Sequence, residues 1–184
     1  EDRGGIRVNL AASSEDIGID HFDGDRQFGA VALDWAFTEK FLLRFDFEHI
    51  RKDTPEQGAI GLPAAVAGVI TLPPIPPNTR NFANSWQRYD AQATNLLLRA
   101  DFLISRQWTI LVEAGYAKTE RDRLLGQILN YNLTTGAGTF RVSYAPNLEY
   151  ENKNGRAELF GRFLTGDIRH DVTFGATSNE RYQN

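Results

Sequence analysis

The sequence predicts an all-β chain, an antiparallel transmembrane β-barrel segment of about seven strands with short periplasmic turns and long extracellular loops. Three observations predict it. Apolar and polar residues alternate with period two over successive stretches of about ten residues, the length a tilted strand needs to cross hydrocarbon. The connections alternate between short and long, and the polar face of strand after strand carries charges of both signs.

The first stretch, 6–12, sets Ile6, Val8 and Leu10 against Arg7 and Asn9. In the second, Val31, Leu33, Trp35 and Phe37 oppose Ala30, Ala32, Asp34 and Ala36. The third is the cleanest, with Phe41, Leu43, Phe45, Phe47 and His49 against Leu42, Arg44, Asp46 and Glu48. Leu96, Leu98, Ala100, Phe102 and Ile104 then oppose Leu97, Arg99, Asp101 and Leu103, and Trp108, Ile110, Val112, Ala114 and Tyr116 oppose Thr109, Leu111, Glu113 and Gly115. Weaker copies at 156–164 and 168–176 complete the count. One face is apolar and suits lipid. The other, with Arg44, Asp46 and Glu48, Arg99 with Asp101, and Arg169 with Asp171, suits a wet lumen.

Three short turns, at 38–40, 105–107 and 165–167, lie at one end. Long links, at about 13–26, 51–90 and 119–155, lie at the other. Trp35, Phe37, Phe41 and Trp108 bracket the short turns as an interfacial girdle would. Residues 58–77 lack any charge, yet five prolines and three glycines rule out a membrane helix there. That loop is expected to fold back over the barrel mouth and bury part of its apolar surface. Seven strands are an awkward number for a closed bacterial barrel, where counts are even. Either an eighth strand hides in 137–150, or the chain belongs to a larger barrel, which is the preferred reading.

Composition narrows the function. A net charge of −4 and no basic patch argue against a nucleic-acid partner. The absence of cysteine removes disulfides, zinc ribbons and thiol catalysis. No methionine occurs, even at position 1, which suggests a processed or excised piece.

The runs IRVNLAASSED and DRQFGAVALDWAFTEKFLLRFDFEHIRKD resemble the early barrel of TonB-dependent siderophore receptors. The run from LPPIPPNTRNFANSW to EAGYAKTERD resembles that family's third extracellular loop with its flanking strands. A closing hairpin marked by Phe163, Thr165, Gly166, His170 and Gly175 resembles the family's f-x-t-G-x-x-x-H-x-x-x-x-G pattern. The resemblance implies a plugged barrel of about 22 strands, of which residues 1–184 would be a partial barrel domain, roughly the third strand to the ninth, with no plug domain. It also implies ferric siderophore as ligand, with outer-membrane lipid and lipopolysaccharide as surroundings. The plug domain and the inner-membrane energy-transducing protein would be partners through the rest of the chain, and the site of action would be the bacterial outer membrane.

In that family the ligand sits among loop aromatics and cations. Here those are Arg80, Phe82, Trp86, Tyr89, Tyr131, Phe140 and Tyr144, with Arg88 and Arg141 beside them. The competing account puts Trp86 and Tyr89 in an outer aromatic girdle and the arginines on lipopolysaccharide phosphates. Ile60, Leu62 and Ala64 stand where some family members carry ligand-contacting aromatics, which leaves the siderophore class open. Asp20, His21, Asp23 and Asp25 lack the spacing of a calcium loop and read as a solvated loop. His170 reads as a structural interface residue. No catalytic triad, phosphate loop or metal-ligand spacing is present, so no enzyme, cofactor or metal site is expected. Two other functions compete with transport: a small eight-stranded outer-membrane barrel with a structural or adhesion role, and a soluble β-sandwich binding module.

Overall fold

The computed structural model describes residues 3–184. Seven long strands form one meander: β1 (Gly4–Asp16), β2 (Asp23–Thr38), β3 (Phe41–Thr54), β5 (Arg88–Ser105), β6 (Trp108–Leu129), β7 (Thr139–Thr165) and β8 (Ile168–Gln183). A two-residue strand, β4 (Ala59–Ile60), lies in the long loop between β3 and β5. The sheet order is β1-β2-β3-β5-β6-β7-β8, every neighbour antiparallel, with β4 added parallel to β6. The expected count of seven strands holds, and no helix occurs among the described residues.

The links differ from the expected ones. Residues 13–16 and 23–26 are strand, and only 17–22 connect β1 to β2. The expected link 119–155 is almost wholly strand, with a turn at 130–138. Within 137–150, residues 139–150 are therefore the upper part of β7 and no separate strand. The physical reason lies above the membrane level, where both faces are polar. There the period-two signal fades although the backbone stays extended. At Pro146 and Asn147 a bulge opposite Asp122 absorbs the missing proline donor, and the Asn147 N–H donates to the Asp122 carboxylate at 2.6 Å.

Opposed residues of an antiparallel pair share a face, so the register settles the parity. Leu33, Phe45, Leu98 and Ala114 form one cross-strand row. One residue further along, Asp34, Arg44, Arg99, Glu113 and Arg156 form a row on the other face. Arg44 and Arg99 stand opposite each other, and Asp101 holds both, at 3.1 and 2.8 Å. Glu113 in turn meets Arg156 at 3.4 Å. The apolar face stays uncovered, with Leu98, Phe102, Ile104 and Val112 all exposed. Among the described residues only Phe22, Leu111 and Leu125 are buried hydrophobics. A soluble sandwich would bury one whole face of such a sheet. This sheet instead leaves its apolar face uncovered, as the wall of a transmembrane barrel does.

Candidate ligand-binding mouth on the inner face

Above the level of Phe47 and Leu96, the two faces differ in charge balance: carboxylates outnumber cations on the outer face and cations outnumber carboxylates on the inner one. On the outer face Asp25, Asp53, Asp90 and Asp122 stand opposite one another across four strands. Such a like-charge row is unfavourable alone. Arg51 reaches Asp90 at 3.1 Å, and Arg88 sits against Asp53 and 3.8 Å from Asp90. Nearby, Lys118 touches Glu120 at 2.8 Å and Glu149 at 3.1 Å. The ammonium of Lys118 holds the Glu120 carboxyl below its usual range.

The inner face of the same rows is basic. Arg26, Lys52, Ala91 and Arg121 form one row. Tyr89 and Arg123 are paired in the row above, and Ala93, Thr119 and Tyr150 line up in the row below. Glu15 serves two cations, Arg26 at 2.5 Å and Lys52 at 3.2 Å. Arg121 has no carboxylate partner among the described residues. Its Nη2 donates to the Tyr150 hydroxyl at 3.3 Å, its guanidinium carbon lies 5.3 Å from that ring's centroid, and its buried Nε has no partner.

The loop of residues 55–87 is tied down beside this wall. Arg123 donates from Nε and Nη2 to both oxygens of Glu56, at 2.8 and 2.9 Å. Gln87, only 3% exposed, donates from Nε2 to the Glu56 carbonyl and accepts from the backbone N–H of Asn84. Further out, β4 extends the edge of β6 where β5 has ended, and Gly61 and Ala64 donate to the carbonyls of Ile128 and Tyr131 at 2.8 Å each. At the loop tip Ala67 and Gly68, both with positive φ, turn a small hairpin between Val66 and Val69. The expected apolar burial is not seen in this chain. Leu62 and Val69 stay exposed and Ile75 is 95% exposed, because the outer part of the loop is attached by hydrogen bonds and, of its large apolar side chains, Trp86 at its base packs on a strand residue, Phe140.

The residues singled out from sequence are dispersed. Trp86 packs edge-on against Phe140 with ring centroids 6.3 Å apart. Tyr144, opposite Leu124, lines the same outer-face hollow as Trp86 and Arg88. Tyr89 is on the inner face opposite Arg123. Arg141 is also inner, with its Nε donating to Gln127 at 2.8 Å. Arg80 and Phe82 lie exposed on the long loop, and Tyr131 lies in the β6–β7 turn. Lys52, Arg121, Arg123 and Tyr150 were not singled out. The spacing of Arg121, Arg123 and Leu125 at alternate positions was the available signal. Among the described residues no group of three acidic or histidine side chains is placed to hold a metal ion.

A sheet that greases one face, charges the other and keeps tight turns at one end defines an outer-membrane β-barrel segment. Within that class the chain is similar to the TonB-dependent siderophore receptors. It is 25% identical to the ferrichrome receptor FcuA of Yersinia enterocolitica over 98% of its own length and 23% of that protein. It superposes on the open form of the ferric-catecholate import receptor Fiu of E. coli K12 with a TM-score of 0.77 at 19% identity, covering 98% of this chain and 30% of that one. For BauA, the ferric preacinetobactin receptor of Acinetobacter baumannii, the TM-score is 0.66 at 16% identity, over 99% of this chain and 27% of that one. The chain thus spans under a third of the length of these proteins. No family model matches it.

Proposed function

We propose that residues 1–184 form part of the barrel wall of an outer-membrane receptor that binds ferric siderophores and imports them with energy from the inner membrane. The observation that carries this reading is the different charge balance of the two faces above the membrane. The strands that turn four aspartates outward turn Lys52, Arg121 and Arg123 inward beside Tyr89 and Tyr150. A basic, aromatic inner wall attracts a metal chelate with oxygen donors and an organic skeleton. On this reading Tyr89, Arg80, Phe82 and Tyr131 stand around the mouth, while Trp86, Phe140 and Tyr144 belong to the outer surface and meet lipopolysaccharide. The remaining strands, a plug and the inner-membrane energy-transducing protein complete the machine.

Uptake of radiolabelled iron as ferric siderophore, by iron-starved cells producing the complete receptor, tests the reading. Uptake is expected with the energy-transducing protein and not without it. Failure of every ferric siderophore to bind the purified complete receptor would overturn it.

A further inference from the structure

We propose that this wall selects ferric chelates carrying net negative charge, and that Glu56 is a tethered competitor for the cation such a chelate would engage at Arg123. The inference deepens the receptor reading above and rests on it.

The row that carries Lys52 and Arg121 has only Ala91 between them, and the row below carries Ala93 at the same strand. Lys52 and Arg121 are thus two strand spacings apart, about 10 Å. The floor between them bears nothing larger than a methyl group. Tyr89 stands over this gap and Thr119 with Tyr150 lies below Arg121. Lys52 leans toward Glu15 and Arg121 toward Tyr150, so the face over Ala91 and Ala93 is left open between two cationic strands, where a group with anionic oxygens meets a cation on either side.

The charge balance points the same way. Above the level of Glu48 the inner face presents Arg26, Lys52, Arg121, Arg123 and Arg141, and the carboxylates that reach them are Glu15 and Glu56. Arg141 is satisfied by a neutral amide, and Arg121 by a phenol on one side and by nothing at its buried Nε. A guanidinium with an unfilled donor in a half-buried wall is short of an acceptor. A neutral chelate supplies acceptors without relieving the excess positive charge, whereas an anionic one does both.

Glu56 makes at Arg123 the bidentate contact that a ligand carboxylate or catecholate would make. It does so from the neck of the long loop, so an incoming anion that takes Arg123 also frees that neck from β6. Glu56 then weakens anionic ligands by competition, and removing its charge strengthens them.

Three probes of different charge separate the possibilities on the purified complete receptor: a ferric tris-catecholate with charge −3, ferric citrate as an anionic carboxylate chelate, and ferrichrome as a neutral tris-hydroxamate. Affinities are compared for the native receptor, for Lys52→Gln with Arg121→Gln, and for Glu56→Gln. Heat-modifiable mobility on gels checks that each variant is a folded barrel. The expected result is at least tenfold weaker binding of an anionic probe in the double variant and severalfold tighter binding in Glu56→Gln, with ferrichrome little changed. The two anionic probes show whether catecholate or carboxylate is preferred. Tighter binding of ferrichrome than of either anionic probe, or equal losses for all three, would overturn the charge selection. Binding of no probe and of no other ferric siderophore would instead overturn the receptor reading itself.

Discussion

The indole of Trp108 lies over Gly161, its partner across the β6–β7 ladder, and fills the space that any side chain at that glycine would need. Trp35 covers Gly4 in the same way at the β1–β2 pair. Phe163, two residues along from Gly161, stacks with Trp108 with ring centroids 6.5 Å apart, and His170 stacks on Phe163 at 4.9 Å. At the short-turn end of the sheet two tryptophans are thus laid over glycines, which covers a bare stretch of backbone.

Gly161→Val should therefore destabilise the folded barrel by about 1–3 kcal/mol, because the β-branched side chain must displace the indole. Gly5, with open space around its Cα, should accept alanine at little cost. Urea unfolding of the complete receptor in lipid vesicles, followed by tryptophan fluorescence, measures both. Equal effects at the two glycines would remove the packing role of Trp108.

Parity makes the second prediction. Phe45 is flanked by Leu33 and Leu98 on the outer face. Phe45→Arg should cost about 2–4 kcal/mol, the range for cations placed at the bilayer midplane. Arg44, one residue away, meets Asp34 at 3.5 Å and Asp101 at 3.1 Å while more than a third exposed. Arg44→Ala should cost under about 1 kcal/mol. The same unfolding assay compares them, and similar costs would contradict the face assignment.

The third prediction concerns acid. Glu120 has a lowered carboxyl pKa because Lys118 bonds its ionised form. A depressed folded-state value contributes stability that is complete above the ordinary glutamate range and is lost as pH falls through the lower, folded value. Hydrogen exchange at the outer ends of β5 and β6 should accordingly quicken, relative to intrinsic rates, on acidification below the ordinary glutamate range. In Lys118→Gln the carboxyl should titrate nearer its ordinary value, and local protection should change less with acid.

What the sequence revealed follows from where water and lipid differ. Inside the membrane one face is greasy and the other wet, so Phe45 beside Arg44 declares both strand and direction. Above it, Arg51 and Lys52 face opposite sides with the same polarity, and Glu120 and Arg121 do likewise. There both faces are polar and charged, and the alternation that a hydropathy pattern registers is lost. The upper halves of β6 and β7 looked like loop for that reason, and Arg121, Arg123 and Tyr150 were hidden in them. The bulge at Pro146 shifts the parity of β7 once more, so the outward direction of Phe140 and Tyr144 was not legible from Tyr150 or Asn152.

The neck of the long loop yields the last prediction. Gln87 is buried, and its side chain joins the Glu56 carbonyl to the Asn84 backbone and side-chain amides, at 3.0–3.2 Å. Gln87→Ala would remove those bonds; the exposed Asn84 amides would turn to water, whereas a buried group left unpaired costs about 1–3 kcal/mol. That energy is local to the base of the loop, since the strands below it keep their full ladders. The expected outcome is faster proteolysis within residues 57–79 of the complete receptor, with barrel unfolding unchanged. Shortening the loop by removing residues 62–76 spares Glu56, β4 and Gln87, so assembly should survive while siderophore binding weakens. Were Gln87→Ala to leave proteolysis unaltered, the hydrogen bonds across the neck would not be what fixes the base of the loop, and its attachment to β6 there would rest on the Arg123–Glu56 pair.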